Sequence, residues 1–502
     1  MKVHVLGKPQ NELEWWEIKL LNRLSAIQGK VVVFYSEEHS DTLKVRYPLN
    51  VKRIVWFLAR QFDKIFFSIP KLHCELEGCI EFVCIKVESS RWVDRIDPES
   101  IRRIKSYSCD YLIRLGFGIL KGEVLQISGG VLSLHHGDNR KYIGGPAGFW
   151  EVIYREKYVG VTLQLINENL DKGEVLARAE ITNYYNYSKN QFHLKKQGLE
   201  LLVAFIQGRA VQNDLVQVSA DKNVSILRTP NIVYSLFYVC RLFESNYWRY
   251  VRSFHYNVLN RRWRIDSLDY KEYPSISFGE FLADPIVYSN NLFVEYYSKA
   301  YGRGIIARKI NDKLEEFDVS DNHLSYPNFC EYNGRTYYCR QESGVTFLRL
   351  FYYENMKLTC ARDFEMGIEF SDPTLAVIGS DLYVLYTKKN YDEDNDNLWI
   401  KKLKSDGQSV EENGMVLMLS NFGARGAGPL QVKLNSLTRP GQIYNNGIYG
   451  SGVVLMDMKV IDSTLVVNSQ EEVSNILIQE ARKKYKRVHH IDIANKVFDY
   501  IK

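Results

Sequence analysis

From Trp263 to the end of the chain, short runs of strand-forming residues alternate with turn residues, and a proline marks the same place in three successive units. Phe281-Leu282-Ala283-Asp284-Pro285 precedes an apolar strand, Tyr326-Pro327 leads to Cys330–Tyr338, and Ser371-Asp372-Pro373 leads to Leu382–Tyr386. The prolines lie 42 and 46 residues apart (327 − 285; 373 − 327). A unit of that length holding several short strands is the size of one propeller blade. The repeat therefore predicts an all-β architecture of radially arranged sheets for the C-terminal half.

The N-terminal half has a different rhythm. Lys2–Leu6 is a strand closed by Gly7, Trp15–Ile27 has helical spacing, and Val31–Tyr35 is the next strand. Ile54–Phe67 and Ile80–Val87 continue the alternation. Alternating helix and strand signals predict a doubly wound, Rossmann-like α/β domain with a parallel sheet. Gln191–Gly208 is a helical segment with leucines on one face and glycine at its end. The aromatic and basic stretch Ile232–Trp263 reads either as a linker helix between two domains or as an amphipathic membrane-surface helix; the globular composition of both flanks favours the linker. A length of 502 residues suits two to four domains, and the expected limits are 1–210, a helical connector over 211–261, and a propeller over 262–502.

Composition narrows the function. A net charge of +5 is small for this length and argues against a dedicated nucleic-acid binder, though not against a local anion site. No apolar run approaches the ~18 residues of a membrane span. The opening MKVHVLGKPQ is not a secretory leader, and Cys74, Cys79 and Cys84 have no zinc-module spacing. Reduced thiols and a cytoplasmic location are expected.

Chemistry concentrates in Val131–Glu174. Val131–Leu134 is a short apolar strand that delivers His135 and His136 at its C-terminal end, where open α/β sheets place their ligand sites. Gly160–Ile166 is a second strand, and the turn Asn169-Leu170-Asp171-Lys172-Gly173 follows it. A histidine and a carboxylate leaving neighbouring strands suit general acid–base work. Gly116-Phe117-Gly118 is a weak nucleotide-loop signal that reads equally as a tight strand exit. Asp138, Arg140 and Lys141 fit a solvated loop as well as a basic fork for phosphate, His136 fits either a structural or a substrate-binding role, and Phe149 and Trp150 favour a core over a ligand platform.

These residues resemble the catalytic core of the N10-formyltetrahydrofolate-dependent formyltransferases. The pieces are Ser133-Leu134-His135, Tyr142-Ile143-Gly144, Gly160-Val161-Thr162 and Leu170-Asp171-Lys172-Gly173, in the family's order and with its interval of 36 residues from His135 to Asp171. Upstream, Asp110–Leu120 resembles the strand and loop that hold the pterin of the folate. The resemblance covers the first two hundred residues or so and implies His135, Asp171 and Ser133 as catalytic. It implies Phe117, Gly118, Ile119, Leu120, Asn167 and Asn169 against N10-formyltetrahydrofolate. It further implies His136, Asp138, Asn139, Arg140, Lys141, Tyr142 and Trp150 against the amine substrate, with no metal. Ser133 departs from the family's asparagine, whose amide donates to the oxyanion. Its hydroxyl can serve through a closer approach or a water, His136 or Asn139 can take over the donor, or turnover is lost.

The region Arg262–Lys502 resembles the five-bladed propeller domain associated with glucosamine inositolphosphorylceramide transferases, which is related to furanosidase propellers. The resemblance rests on the proline repeat together with Gly426-Ala427-Gly428-Pro429, Thr438-Arg439-Pro440-Gly441-Gln442 and Val488-His489-His490-Ile491-Asp492. Asp284 and Asp372 would match two of the three furanosidase carboxylates, with Glu331 or Glu369 as candidates for the third. The combination implies a homodimeric sugar N-formyltransferase acting on a nucleotide-linked amino sugar, such as a dTDP-linked deoxyamino sugar of O-antigen or other lipopolysaccharide synthesis. The alternatives are methionyl-tRNA formylation and a non-catalytic scaffold that binds folate or saccharide.

Overall fold

The computed structural model describes residues 1–37, 51–66, 74–90, 93–138, 140–141, 143–168, 173–208, 226–257, 263–267, 277, 279–311, 313–388, 397–403, 415–418, 423–433, 436–445, 448–461, 464–471 and 487–501. They form two units, Met1–Asn246 and Tyr247–Lys502.

The first unit is built on seven strands: β1 (Val3–Leu6), β2 (Lys30–Tyr35), β3 (Cys79–Cys84), β4 (Tyr111–Arg114), β5 (Val131–His135), β6 (Tyr158–Leu165) and β7 (Glu174–Thr182). Their order across the sheet is β7-β6-β5-β4-β1-β2-β3. The expected parallel arrangement holds from β5 to β3. In contrast, β6 and β7 are antiparallel to their neighbours. Only residues 166–173 join β6 to β7, which is enough for a hairpin and far too short for a parallel crossover.

The helices that cover this sheet are set by local signals. α1 (Trp15–Gln28) starts at a reciprocal capping box between Glu14 and Glu17 and stops at Gly29, whose φ of 84° suits glycine. It buries Leu20, Leu21 and Leu24, each contributing roughly 1.5–3 kcal/mol. Two further helices are α2 (Val51–Phe66) and α3 (Pro98–Ser106). In α3, Pro98 occupies the first turn and the Asp97 carboxylate accepts from the Ser100 N–H. α4 (Tyr187–Ile206) is capped by Asn186 and runs past the expected start at Gln191 into the turn before it.

The last helix, α5 (Ile232–Asn257), spans the division between the units. Its first half belongs to the N-terminal unit by packing, because Tyr238 and Leu242 are fully buried against Trp56, Phe149 and Trp150. One buried hydrogen-bond hub joins α2, α4 and α5. The Tyr238 hydroxyl donates to Asp63 Oδ1 at 2.6 Å and accepts from the Tyr187 N–H at 2.7 Å, while Asp63 Oδ2 accepts from the Ser188 N–H at 2.8 Å. Burial raises the Asp63 carboxyl above its ordinary value, so its donors are what keep it tolerable there.

The second unit is all-β and propeller-like. Among the described residues it holds four four-stranded antiparallel sheets and one three-stranded sheet. The four begin with Phe281–Tyr288, Leu324–Tyr332, Phe370–Ile378 and Gln431–Lys433. The three-stranded sheet joins Arg264–Ser267, the first strand of the unit, to Val497–Ile501 and Arg487–Asp492, the last two. The first and last strands described in this unit thus share one sheet.

The proline repeat has a structural cause. Each of the first three sheets has a register shift in its first strand, between residues 283 and 286, 325 and 328, and 371 and 374. Asp284, Tyr326 and Asp372 sit in these bulges with φ of 49°, 52° and 53°. A proline costs no ladder hydrogen bond in a bulge, which explains its place after each of them. Tyr326 is an unusual residue at positive φ. It is held by its N–H donating to Asp284 Oδ2 at 3.0 Å and its hydroxyl donating to the Gly428 carbonyl at 3.1 Å.

Tyr238→Phe removes the donor to Asp63 and the acceptor of the Tyr187 N–H together. The expected loss is about 1–3 kcal/mol in urea unfolding of the full chain. An unchanged midpoint would show that the hub carries no net stability.

Candidate active site

Doubly wound sheets bind ligands where the strand order reverses, outside the carboxyl ends of the strands. Here the order reverses between β1 and β4. The loop after β4 is pinned at that point. The Gly118 N–H donates to Asp94 Oδ2 at 2.6 Å, and Arg114 donates to the Gly118 carbonyl at 2.9 Å. Gly116 has φ of +94°, and a Cβ there would lie 2.7 Å from the Lys8 side chain, so both conformation and space demand glycine. Phe117 and Leu120 point into the apolar core beside Phe34 and Val131. Gly118 and Ile119 are half-buried and leave backbone at the surface of the loop.

β5 carries the candidate chemistry. Ser133 and His135 are two residues apart and share one face of the strand, while Leu134 and His136 take the other. His135 is half-buried, and its Nε2 lies 3.0 Å from where a Cβ at Gly137 would be, so the imidazole is folded back over the glycine. Ser133 is only 1 % exposed and is paired with Arg114 of β4 and Gln164 of β6. Its Oγ and the Oε1 of Gln164 are both buried without a hydrogen-bond partner. Directly opposite residues of an antiparallel pair project to the same face. Two orphaned polar atoms side by side beneath a strand end are costly, at roughly 1–3 kcal/mol each, and mark a place shaped for polar contacts. Gln164 was not singled out from sequence. Its signal was an amide side chain inside the otherwise mostly apolar run Gly160–Ile166.

The direction of β6 fixes which of its residues stand beside β5. Thr162 lies opposite His135 and Leu165 opposite Leu132, so the strand leading towards Asp171 leaves the sheet at the edge where β5 begins. Leu165 and Glu174 pair with each other across that turn. At about 3.3 Å per residue, Leu132 is about 10 Å back along β5 from His135. Asp171 itself, with Asn139, Tyr142 and Asn169, lies outside the described residues. Asn167 is exposed at the start of the turn.

The remaining candidates are engaged within the protein. His136 packs edge-on to Trp16, with ring centroids 5.7 Å apart, and its Nε2 faces Gly198. Burial, then the neighbouring Lys195 and His135, push its pKa down to about 4, so the ring is neutral at pH 7. Arg140 makes a bidentate pair with Asp138, at 2.8 and 2.9 Å, and also reaches Glu180 at 2.6 Å. Burial works against its charge, but the two carboxylates outweigh it and hold the guanidinium protonated. Lys141 is paired with Glu156 at 2.8 Å. Arg140 and Lys141 thus face carboxylates rather than an open phosphate cradle. Trp150 is 6 % exposed and packed against Phe149 and Tyr234, a core position.

In the second unit, Asp372 is clamped by Arg425 at 2.7 and 2.9 Å, and Asp284 is buried beside His489 and His490. Glu331 is exposed and accepts from the Tyr288 hydroxyl, and Glu369 is half-buried. Among the described residues no helix is long and apolar enough to cross a membrane, and all eight cysteines are free thiols.

Two of these findings generate tests. Arg140→Ala would leave Asp138 and Glu180 as unpaired, mostly buried charges, and the expected loss is about 3–5 kcal/mol in urea unfolding. His136 is neutral when folded down to pH about 4, whereas its ordinary value is 6.5. The unfolded chain takes up this proton first, so stability falls as pH drops from 6.5 towards 4; the share from His136 is on the order of 2 kcal/mol. Glu151 acts in the opposite sense, because burial pushes its carboxyl up to about 7 and its contribution is lost as pH rises from 4.5 through 7. His136→Leu should flatten the acid limb, measured as unfolding midpoint against pH.

Residues 62–205 match the family model described as formyl transferase, so this stretch is a formyltransferase domain. The chain is 35% identical over 116 residues to the methionyl-tRNA formyltransferase of Clostridium perfringens (strain SM101 / Type A), covering 22% of this chain and 38% of that protein. It is 36% identical over 88 residues to the methionyl-tRNA formyltransferase of Thermodesulfovibrio yellowstonii, covering 17% and 29%. The matches therefore span less than two fifths of these relatives' own length. Among solved structures, a sugar N-formyltransferase from Shewanella sp FDAARGOS_354 aligns with 48% of this chain and 88% of its own, at 13% identity and a TM-score of 0.28.

Proposed function

We propose that this chain moves a formyl group from N10-formyltetrahydrofolate to the amino group of a nucleotide-linked amino sugar. The carrying observation is that the formyl transferase match over residues 62–205 encloses β5, with Ser133 and His135 on one face of its end. The folate supplies an activated formyl carbon. The backbone of the Phe117–Leu120 loop, with Asn167 and Asn169, would hold it, and the half-buried Gly118 and Ile119 suit main-chain contacts to a flat ring.

In this reading the amine nitrogen attacks the formyl carbon, a new C–N bond forms, and the bond to N10 breaks. His135 accepts the proton that the amine sheds and passes it to N10, which leaves as the N–H of tetrahydrofolate. Asp171 orients the imidazole, a role that rests on its motif. Ser133 Oγ donates to the developing oxyanion, and its lack of a protein partner leaves the hydroxyl available for that bond. His136 stands apart from this role because it lies on the other face of the strand, packed against Trp16. Asp138, Arg140 and Lys141 then shape the acceptor loop through their ion pairs.

The sugar acceptor is favoured over tRNA by the rest of the chain. The named tRNA-modifying relatives are matched over less than two fifths of their length, and here an all-β unit with sugar-handling resemblance follows instead. The net charge of +5 adds little attraction for a polyanion. We read the five sheets as five blades of a propeller over 262–502, joined by a connector over 211–261 to a catalytic domain over 1–210. Within the sugar class, a dTDP-linked deoxyamino sugar for surface polysaccharide and a homodimeric, cytoplasmic enzyme are the preferred choices, by family resemblance.

The test is mass spectrometry on the full chain, offered N10-formyltetrahydrofolate with a panel of nucleotide-linked amino sugars and, separately, methionyl-tRNA. One formylated sugar supports the reading, and formylated methionyl-tRNA alone replaces it. Folate bound without any product would leave the binding scaffold. His135→Ala should abolish turnover in a folded protein. Ser133→Ala should lower kcat less, by about 10²-fold, in line with loss of an oxyanion donor.

A further inference from the structure

Polar side chains from three strands share one face at the end of β5. Arg114 of β4 and Gln164 of β6 are the register partners of Ser133, and Thr162 of β6 is the partner of His135. Register partners project to the same face of a sheet, as do residues two apart on a strand. Arg114 and Thr162 have work within the protein. Arg114 donates to the Gly118 carbonyl at 2.9 Å, and the Thr162 hydroxyl donates to the Gly137 carbonyl at 3.2 Å. Ser133 Oγ and Gln164 Oε1 have no hydrogen-bond partner, and their residues are 1 % and 2 % exposed. In formyl transfer the Ser133 hydroxyl meets the oxyanion, and Gln164 is left over.

The backbone is irregular at the same place. The ladder between β6 and β7 shifts register between Leu163 and Gln164. Such irregularities re-aim side chains and are frequent beside active sites. An apolar side chain would fill this position without the cost of an orphaned carbonyl. A cost carried by the free protein points to a group that arrives with the ligand. An amide oxygen accepts hydrogen bonds, so the arriving group is a donor.

We propose that Gln164 Oε1 accepts a hydrogen bond from the amine nitrogen as it attacks, an inference that rests on formyl transfer being the reaction of this chain. Directly opposite residues of an antiparallel pair have Cβ atoms about 4.5–5.5 Å apart. One tetrahedral centre can therefore set its oxygen at Ser133 and its nitrogen at Gln164. A primary amine brings two N–H bonds. As its lone pair forms the C–N bond, the nitrogen turns positive and both hydrogens become stronger donors. His135 takes one of these protons and passes it to N10. The other stays on the nitrogen, held by Gln164, and ends as the N–H of the formamide. This bond is strongest while the nitrogen is charged, so it lowers the barrier more than it tightens the ground state. The acceptor class is thus a primary amine. A secondary amine has one N–H, which goes to His135, and Oε1 stays unpaired.

The experiment uses the full chain and the amino sugar that it formylates in the mass-spectrometric panel. Gln164→Met keeps the length of the side chain and removes the acceptor. It should lower kcat/KM about 10- to 100-fold. Its urea unfolding midpoint should hold or rise, because an orphaned polar atom is gone. The N-methyl derivative of the same sugar should be a poor acceptor for the unaltered chain, and Gln164→Met should narrow the gap between the two amines. Undiminished turnover in Gln164→Met, or an unchanged preference for the primary amine, would overturn this role and leave the transfer reaction standing. A fall in midpoint and turnover together would make Gln164 a packing residue and overturn the role as well. If the unaltered chain formylates no sugar, the reaction itself is removed, and the role of Gln164 goes with it.

Discussion

Everything at the candidate active site depends on how β5 is paired. On one side it continues the parallel sheet through Leu112 to Arg114, and on the other it meets β6 running the opposite way. Parallel pairing brings the end of β5 to the sheet edge shared with the ends of β1 and β4, where doubly wound folds place their ligand sites. Antiparallel pairing sets Gln164 beside Ser133 and Thr162 beside His135. The polar face of β5 is therefore assembled from three strands, although Ser133 and His135 are neighbours in the chain.

Charge is the second constraint. Both units bury ionisable side chains, and almost every one stands in a built environment. Arg140 is neutralised by Asp138 and Glu180, and Arg340 by Asp318 and Glu342. Asp372 is closed off by Arg425. Such pairs add little net stability over an apolar core, but each is expensive to break from one side. They fix loop geometry, and this separates residues that shape a site from residues that can meet a ligand. Ser133 Oγ and Gln164 Oε1 differ from these ion pairs in kind, as uncharged polar atoms buried side by side on paired strands without a hydrogen-bond partner.

Much of this was legible in the chain. The strand ending at His135, the capped helices around it and the glycine at 116 follow from local pattern, because each is decided within a few residues. The proline repeat announced the successive sheets of the second unit, and the structure traces each proline to a bulge, where the ladder is interrupted. Arg140 illustrates the limit. A basic residue in a polar loop suits solvent or phosphate equally, and its partner Glu180 lies 40 residues away on β7. His136 is the converse case, for its neighbour His135 masks a side chain that faces Trp16 on the opposite side of the strand.

The sequence by itself determined the two classes of architecture, the main elements of the first unit, the repeat of the second, and the family likeness of Val131–Glu174. Short-range preferences and hydrophobic period suffice for these, because they act through the backbone of one segment. Only the tertiary structure decided the direction of β6, the capture of Arg140 by Glu180, and the meeting of Asp284 with His489 and His490 across some two hundred residues. Each of these depends on which distant segment satisfies a buried polar group. That choice is made by packing and register, and no local pattern encodes it.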